Sequence, residues 1–334
     1  MRTPLRISFV GGGTDFPEFY RRYPGRVISA TIDKHIYVVV KPTPLIARYT
    51  MKYDKTESVA HPNDLEHTRV KAAFMDLGIN HGIEIGSFVD LPGRTGLGSS
   101  SSFSVGLMKG LHAFMGKRLN REQAAAAASR LEIELVGEPI GKQDQYAAAY
   151  GGINMFQFNP DDSVTVEPLL IDFRARASLE QHMMLFFTGI TRNASAVLFD
   201  QRKKIDDHFE TYKKMSDSAL VFRDLLLKGN TRRIAAMLHE GWLWKKSLSP
   251  GISNAVIDTL YETGIGAGAW GGKILGAGGG GCLLFIVPPE RQELVRRAVA
   301  ESASGNGLAE FREIPIRFVQ SGADVVFHHK PVLT

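Results

Sequence analysis

No stretch constrains this chain more than Pro92 to Ser100, Pro-Gly-Arg-Thr-Gly-Leu-Gly-Ser-Ser. It lies between an alternating run, Ile83 to Val89, and a run from about Ser100 to Met115 in which Phe103, Leu107, Leu111 and Phe114 recur every three or four residues. Alternation marks a strand and the wider spacing a helix, so the glycines sit where a strand gives way to a helix. Glycine there permits positive φ. The free N–H groups and positive dipole end of a helix start attract phosphate. Gly93 and Gly98 approach the Walker spacing, but Ser99 stands where that loop needs its lysine. The chain is therefore not a P-loop NTPase, while Ser100 offers a hydroxyl suited to Mg²⁺.

Two more glycine clusters need separate readings. Gly276, Gly278 and Gly281 make a literal G-x-G-x-x-G, but Cys282 to Val287 after it reads as a strand. A dinucleotide fingerprint must open a helix, which excludes that use. Gly11-Gly12-Gly13 ends the strand Leu5 to Val10, and Asp15 behind it is either a turn residue or a ligand-binding carboxylate.

Phosphoryl transfer asks for a carboxylate near the nucleophile and another near Mg²⁺. Asp144 follows a break at Pro139 and Gly141, with Lys142 near enough to favour its ionised form. Glu132 and Glu134 lie on the preceding helix, two residues apart; only one can face a given point, and spacing alone does not choose. His35, His61 and His112 lack an H-E-x-x-H partner, and the pair His328-His329 reads as surface.

The remaining elements are coarser. Ile36 to Val40 reads as a strand, and Asn120 with Gln123 as a capping box opening a helix to about Val136. Asp144 to Tyr150 reads as a short helix. After a turn at residues 159–162, helices are expected at about Ala194–Leu227, Arg232–Leu243, Asn254–Thr263 and Pro289–Ala303, with a last strand near Glu313–Val319. A chain of 334 residues suits two domains, and the change of texture puts the boundary near 180 (1–180 and 181–334). The net charge of +5 includes no basic tract, so nucleic acid is not implied. One cysteine, Cys282, excludes a disulfide framework, and no apolar run approaches a signal peptide or membrane span. A soluble cytoplasmic protein is expected, its oligomeric state not legible.

Together the motifs resemble those of the GHMP superfamily of galactokinases, homoserine kinases, mevalonate kinases and phosphomevalonate kinases. The first reads Pro4-Leu5-Arg6-Ile7-Ser8-Phe9-Val10-Gly11-Gly12-Gly13-Thr14-Asp15, the second Pro92 to Ser100, the third Lys273 to Gly281. The resemblance implies an α+β fold of two domains, an N-terminal ribosomal-protein-like α/β domain that binds ATP and a C-terminal ferredoxin-like domain. It implies ATP and Mg²⁺ as cofactors and a small sugar phosphate as partner in the cleft between them.

By position, Asp144 matches the family's base and Arg6 the arginine near the reacting hydroxyl. Pro92, Gly93, Gly96, Leu97, Gly98, Ser99, Ser100 and Ser101 match the nucleotide motif. Ser100 and a glutamate twelve residues before Asp144, hence Glu132, match the Mg²⁺ ligands. Asp15 matches the sugar-binding aspartate; Gly12, Gly13, Lys142, Arg192, Gly278 and Gly279 are further substrate candidates. Galactokinases carry Glu-His where this chain has Gly12-Gly13, which argues against galactose. The segments Gly11 to Asp15, Gly141 to Ala148 and Thr188 to Ser195 are most similar to the heptose 7-phosphate kinase branch. That branch phosphorylates the anomeric hydroxyl of D-glycero-D-manno-heptose 7-phosphate. Fucokinase-like or galactokinase-like acceptors, and an inactive sugar-binding regulator, are the alternatives.

Overall fold

A computed structural model of the chain describes residues 1–191 and 194–328. The first half holds β1 (Arg2–Val10), α1 (Pro17–Tyr20), β2 (Gly25–Pro42), β3 (Tyr49–Lys52), β4 (Thr56–Val59), α2 (Thr68–Leu77) and β5 (Ile83–Val89). It continues with α3 (Ser99–Phe114), α4 (Arg121–Arg130), α5 (Gln143–Tyr150), β6 (Ile153–Phe158) and β7 (Val164–Pro168). Its sheet runs β4-β3-β5-β2-β6-β7, with β1 also on β2. β2 is long enough to serve three partners: its first part pairs with β6, its last with β5, and β1 follows it from Ile28 to Tyr37. Apolar Val38 points into the core and Val39 to solvent, the period-two alternation of a sheet with one covered face.

The second half holds α6 (Phe173–His182), β8 (Met183–Phe187), α7 (Ala194–Lys203), α8 (Phe209–Leu227), α9 (Thr231–Ser247) and α10 (Ala255–Gly266). After these come β9 (Gly271–Ile274), β10 (Cys282–Ile286), α11 (Gln292–Gly305) and β11 (Arg312–Glu313). Its strands lie in the order β11-β8-β10-β9, all antiparallel. Helices intervene after β8 and after β10, giving the β-α-β-β-α-β sequence of a ferredoxin-like unit. Strands and helices are segregated as an α+β protein requires.

Every strand of the first sheet comes from residues 2–168 and every strand of the second from 183–313; we propose the division at about 180 between them. The halves are not separate bodies of core. Leu5, Ile7 and Phe9 of β1 share one apolar cluster with Phe222, Leu284 and Ile286. The rings of Phe9 and Phe222 stack 5.6 Å apart. Beyond β11 the chain crosses back: Val319 N–H donates to Thr31 O at 3.0 Å, and Arg2 and Asp324 pair as a bridge.

Several expectations need correcting. The helix expected over Ala194–Leu227 is two, broken at residues 204–208 where Asp206, Asp207 and His208 form a turn and Ile205 plugs the core below. The last strand shrinks to Arg312–Glu313, because Pro315 has no N–H for a ladder. The capping box at Asn120 is present, but the helix stops being α at Arg130. Leu131–Leu135 forms a wider π-turn in which Val136 N–H reaches Leu131 O at 3.0 Å. As the third glycine cluster required, a strand follows it rather than a helix.

Candidate active site

Two of the glycine turns at the cleft between the halves touch each other. A Cβ on Gly96 (φ +78°) would stand 2.5 Å from Leu275 O, and one on Gly276 (φ +71°) 2.7 Å from Gly96 Cα. Only glycine fits either position, so the loop before α3 and the loop before β10 pack backbone to backbone. The loop before β10 reaches the cavity through Gly276 and Ala277. Gly278 and Gly279 turn away to Ile252, whose carbonyl accepts from Gly279 N–H.

Arg6 lies across the start of α3, where Gly98 leaves room: a Cβ there would meet the arginine side chain at 3.1 Å. Its Nε and Nη2 donate to the two carboxylate oxygens of Asp144 at 2.7 and 2.6 Å, and its Nη1 to Gly96 O at 2.7 Å. This bidentate fork fixes the carboxylate's plane as well as its position. Asp144 occupies the first turn of α5 and faces the cavity. Lys142 is not its partner. The Lys142 ammonium donates to Asp162 O at 3.1 Å and lies over the Tyr20 ring, outside the cavity wall.

Glu132 is fully buried, whereas Glu134 is 68% exposed beside Arg130. The π-turn presents the first to the cleft and the second to water, and such turns recur at functional sites. The Glu132 carboxylate accepts from Arg69 Nε at 2.9 Å, Ser100 Oγ at 3.3 Å and Gln145 Nε2 at 2.5 Å. Arg69 also reaches Glu138 at 3.1 Å, and Ser195 at the start of α7 donates to the other oxygen of Glu138 at 2.9 Å. Sequence reasoning missed Arg69, Glu138 and Gln145; nothing local marks an arginine on α2 as part of a site.

Asp15 is not a surface turn residue. It is 2% exposed and accepts from Gly13 N–H, Gln143 N–H and Gln143 Nε2 at 3.2, 3.0 and 2.7 Å. Burial pushes its carboxyl up to about 6; the Gln143 N–H opposes that shift and the Asp144 charge adds to it. The charged form, which a hydroxyl donor prefers, is then lost as pH falls through about 6. KM for an acceptor held by Asp15 is expected to rise below that pH, and the rise to vanish in Asp15→Asn. Any limb from an acceptor phosphate, whose second ionisation also lies near ~6, would stay in both. A wild-type profile matching that of Asp15→Asn would remove Asp15 from acceptor binding.

The other expected residues spread over two hollows. Ser99, Ser100 and Ser101 form the first turn of α3 and line the main cavity, while Leu97 is buried in the core and presents only its carbonyl, to Arg6 N–H. Gly93 lines a second hollow with Tyr53, His67 and Phe103. Pro92 is exposed at the loop's edge. Gly12 and Gly13 line the main cavity, the latter at φ +97° against the Tyr212 ring. Arg192 lies outside the described residues.

Residues 67–152 match the N-terminal domain of GHMP kinases and residues 222–305 their C-terminal domain. The chain is 30% identical to the D-glycero-alpha-D-manno-heptose 7-phosphate kinase of Campylobacter jejuni subsp. jejuni, covering 87% of this chain and 90% of that protein. The chain belongs to the GHMP kinase family. As a GHMP kinase it is an ATP-dependent phosphotransferase acting on a hydroxyl group. A crystal structure of a D-glycero-D-manno-heptose 1-phosphate kinase from Bacteriodes thetaiotaomicron superposes with a TM-score of 0.78 at 28% identity, 96% of each chain covered. A bifunctional fucokinase/GDP-fucose pyrophosphorylase of Arabidopsis thaliana is 26% identical over 90% of this GHMP kinase, which spans 31% of that longer protein. Among the described residues no helix is long and apolar enough to cross a membrane.

Proposed function

We propose that this GHMP kinase is a cytoplasmic sugar kinase that transfers the γ-phosphate of ATP to the anomeric hydroxyl of D-glycero-D-manno-heptose 7-phosphate, giving the 1,7-bisphosphate. The observation that carries this reading is the Asp144 carboxylate, clamped by Arg6 in the cleft beside buried Asp15, in a chain similar along most of its length to heptose phosphate kinases.

The chemistry follows from the positions. Asp15 accepts hydrogen bonds from sugar hydroxyls and presents the anomeric carbon to Asp144. The Asp144 carboxylate takes the anomeric proton as the oxygen bonds to the γ-phosphorus. The bond from that phosphorus to the β–γ bridging oxygen breaks, and ADP leaves with the electron pair. An anomeric hydroxyl is more acidic than an ordinary alcohol, so a carboxylate suffices as acceptor. Arg6 keeps the carboxylate aligned.

The nucleotide has a path. Arg69, Arg94, Ser99 and Ser100 line both the main cavity and the second hollow. In the second hollow the rings of Tyr53 and His67, and of His67 and Phe103, each stand 5.1 Å apart and offer a stacking surface for a base. The triphosphate then crosses the N–H groups at the start of α3. Glu132 and Ser100 fit Mg²⁺: a carboxylate and a hydroxyl, oxygen donors of the kind this ion prefers, meet beside the proposed phosphate path and would hold it there. Bound there, Mg²⁺ would neutralise charge on the transferring phosphoryl group.

ADP release measured over a panel of sugars tests the reading. Heptose 7-phosphate should give the highest kcat/KM. The fucokinase relative makes L-fucose the chief competitor, and a higher kcat/KM for fucose would replace the acceptor. Binding without turnover of any sugar would instead indicate a regulator.

A further inference from the structure

Two non-glycine residues among those described hold a left-handed backbone, Arg94 at φ +63° and Asp162 at φ +67°. That conformation is costly for a residue with a Cβ and persists where the surroundings impose it. Asp162 has visible compensation. Its carboxylate accepts from Tyr20 Oη and Arg21 Nη2, and the Lys142 ammonium stands 3.6 Å away. Aspartate is also among the residues that tolerate this region best. Neither holds for Arg94. Its guanidinium has no hydrogen bond, ion pair or ring contact among the described residues.

The backbone around Arg94 is held at both ends. On one side Asp90 N–H donates to His35 O at 3.0 Å, and Asp90 Oδ2 accepts from His35 N–H at 2.8 Å. On the other, Thr95 O accepts from Cys282 N–H at 2.9 Å, and Gly96 lies against Leu275 and Gly276. The arginine is thus suspended between two fixed points and is itself exposed.

The cations of the cleft differ in what they border. Arg69 and Arg94 line both hollows, whereas Arg6, Lys245 and Lys273 line the main cavity alone. Arg69 is shared between the Glu132 and Glu138 carboxylates. A base in the second hollow and a γ-phosphate beside Asp144 must be joined by phosphates that pass between the two. Ser99 and Ser100 also line both hollows, but they offer N–H and hydroxyl groups without charge. Arg94 adds a full positive charge there, on a planar fork that can take two phosphate oxygens at once.

We propose that the Arg94 side chain binds the polyphosphate of the nucleotide, and that this contact is why an arginine occupies the left-handed position. The proposal rests on the nucleotide path given above. Glycine would suit the turn better. What glycine lacks is the guanidinium, so the side chain and not the backbone explains the residue.

The test uses wild type, Arg94→Gly, Arg94→Lys and Tyr53→Ala. Calorimetry with Mg²⁺ present gives the Kd for ADP, adenosine is titrated as an inhibitor competing with ATP, and KM is measured for the best acceptor of the sugar panel. Arg94→Gly should melt no lower than wild type, because glycine fits φ +63°. Its Kd for ADP is expected to rise about 10–100-fold, the size of a lost charge-assisted contact. Inhibition by adenosine, which has no phosphate, should change by under about 3-fold, and so should the acceptor KM. Arg94→Lys keeps the charge without the fork and should fall between wild type and the glycine variant. Unchanged ADP affinity in Arg94→Gly would overturn the proposal. Equal losses for ADP and adenosine would do the same, as would a raised acceptor KM at unchanged ADP affinity. Tyr53→Ala reports on the path separately, because Tyr53 lines the second hollow alone. Weaker adenosine inhibition in that variant, with ADP affinity untouched in Arg94→Gly, would leave the path standing and remove the arginine. Unaltered adenosine inhibition in Tyr53→Ala, with ADP binding weakened in Arg94→Gly, would move the base out of the second hollow and still assign Arg94 to the phosphates.

Discussion

Asp144→Asn is expected to lower kcat by about 10²–10⁴-fold, the usual loss when a positioned base is removed. The amide keeps the size of the side chain and leaves one oxygen for Arg6, so the fold of the site survives. It cannot accept the anomeric proton, and its NH₂ opposes one of the two Arg6 donors now 2.6 and 2.7 Å from the carboxylate oxygens. The nucleotide path proposed above runs along the start of α3 and the second hollow, which Asp144 does not border. Titration of ATP against the variant by calorimetry should therefore give a Kd within a few-fold of wild type. Near wild-type turnover in Asp144→Asn would show that the acceptor loses its proton elsewhere, and the role given to this carboxylate would be withdrawn.

The second large effect is expected from Glu132→Gln. Its carboxylate is fully buried and accepts from three donors, so an amide turns one acceptor into a donor facing Arg69 or Gln145. A buried donor left without an acceptor costs about 1–3 kcal/mol, which thermal melting should show. At saturating ATP the Mg²⁺ concentration for half-maximal rate should rise about tenfold or more, for loss of one charged ligand among few. Glu134→Gln serves as the control, because that side chain lies in solvent beside Arg130 and should change neither quantity measurably. Should Glu134→Gln give the larger shift in Mg²⁺ requirement, the metal side of the cleft has been misplaced by one face of the helix.

How far the site could be read beforehand depended on whether a residue's role is local. Arg6, Ser100 and Asp144 sit in segments that resemble the family's motifs, and the structure brings all three to one cavity. Arg69 was invisible because it is an ordinary helix arginine until Glu132, 63 residues away, folds beside it. Lys245 was invisible for a similar reason: lysine in a sequence reads as surface, and only the packing of α9 beside the loop that carries Gly276 buries it. Gly278 and Gly279 erred the other way. Their composition suggested ligand contact, while their use is to let the loop pass Ile252.

Among the elements, long periodic helices such as α3 and α9 were legible. β3 and β4, four residues each, and β9 with its two glycines offer too short a pattern to detect. The π-turn at Leu131–Leu135 could not be read from periodicity, since it ends the helix and no later turn shows the shift that one added residue makes.

The return of the last described segment to the first sheet bears on how the molecule matures. A ribosome releases β1 well before residues 318–324, yet Arg2 pairs with Asp324 and Ile32 with Phe318. Until those residues emerge, a stretch of strand edge stands uncovered for as long as the rest of the chain takes to be made, and open edges invite pairing with other chains. The carbonyls of Ser8 and Phe9 likewise wait for Lys273. The nascent first half is thus an unfinished surface whose completion is supplied from the far end of the chain. Competence to bind sugar and nucleotide together should arrive late and abruptly in synthesis, and not in two instalments.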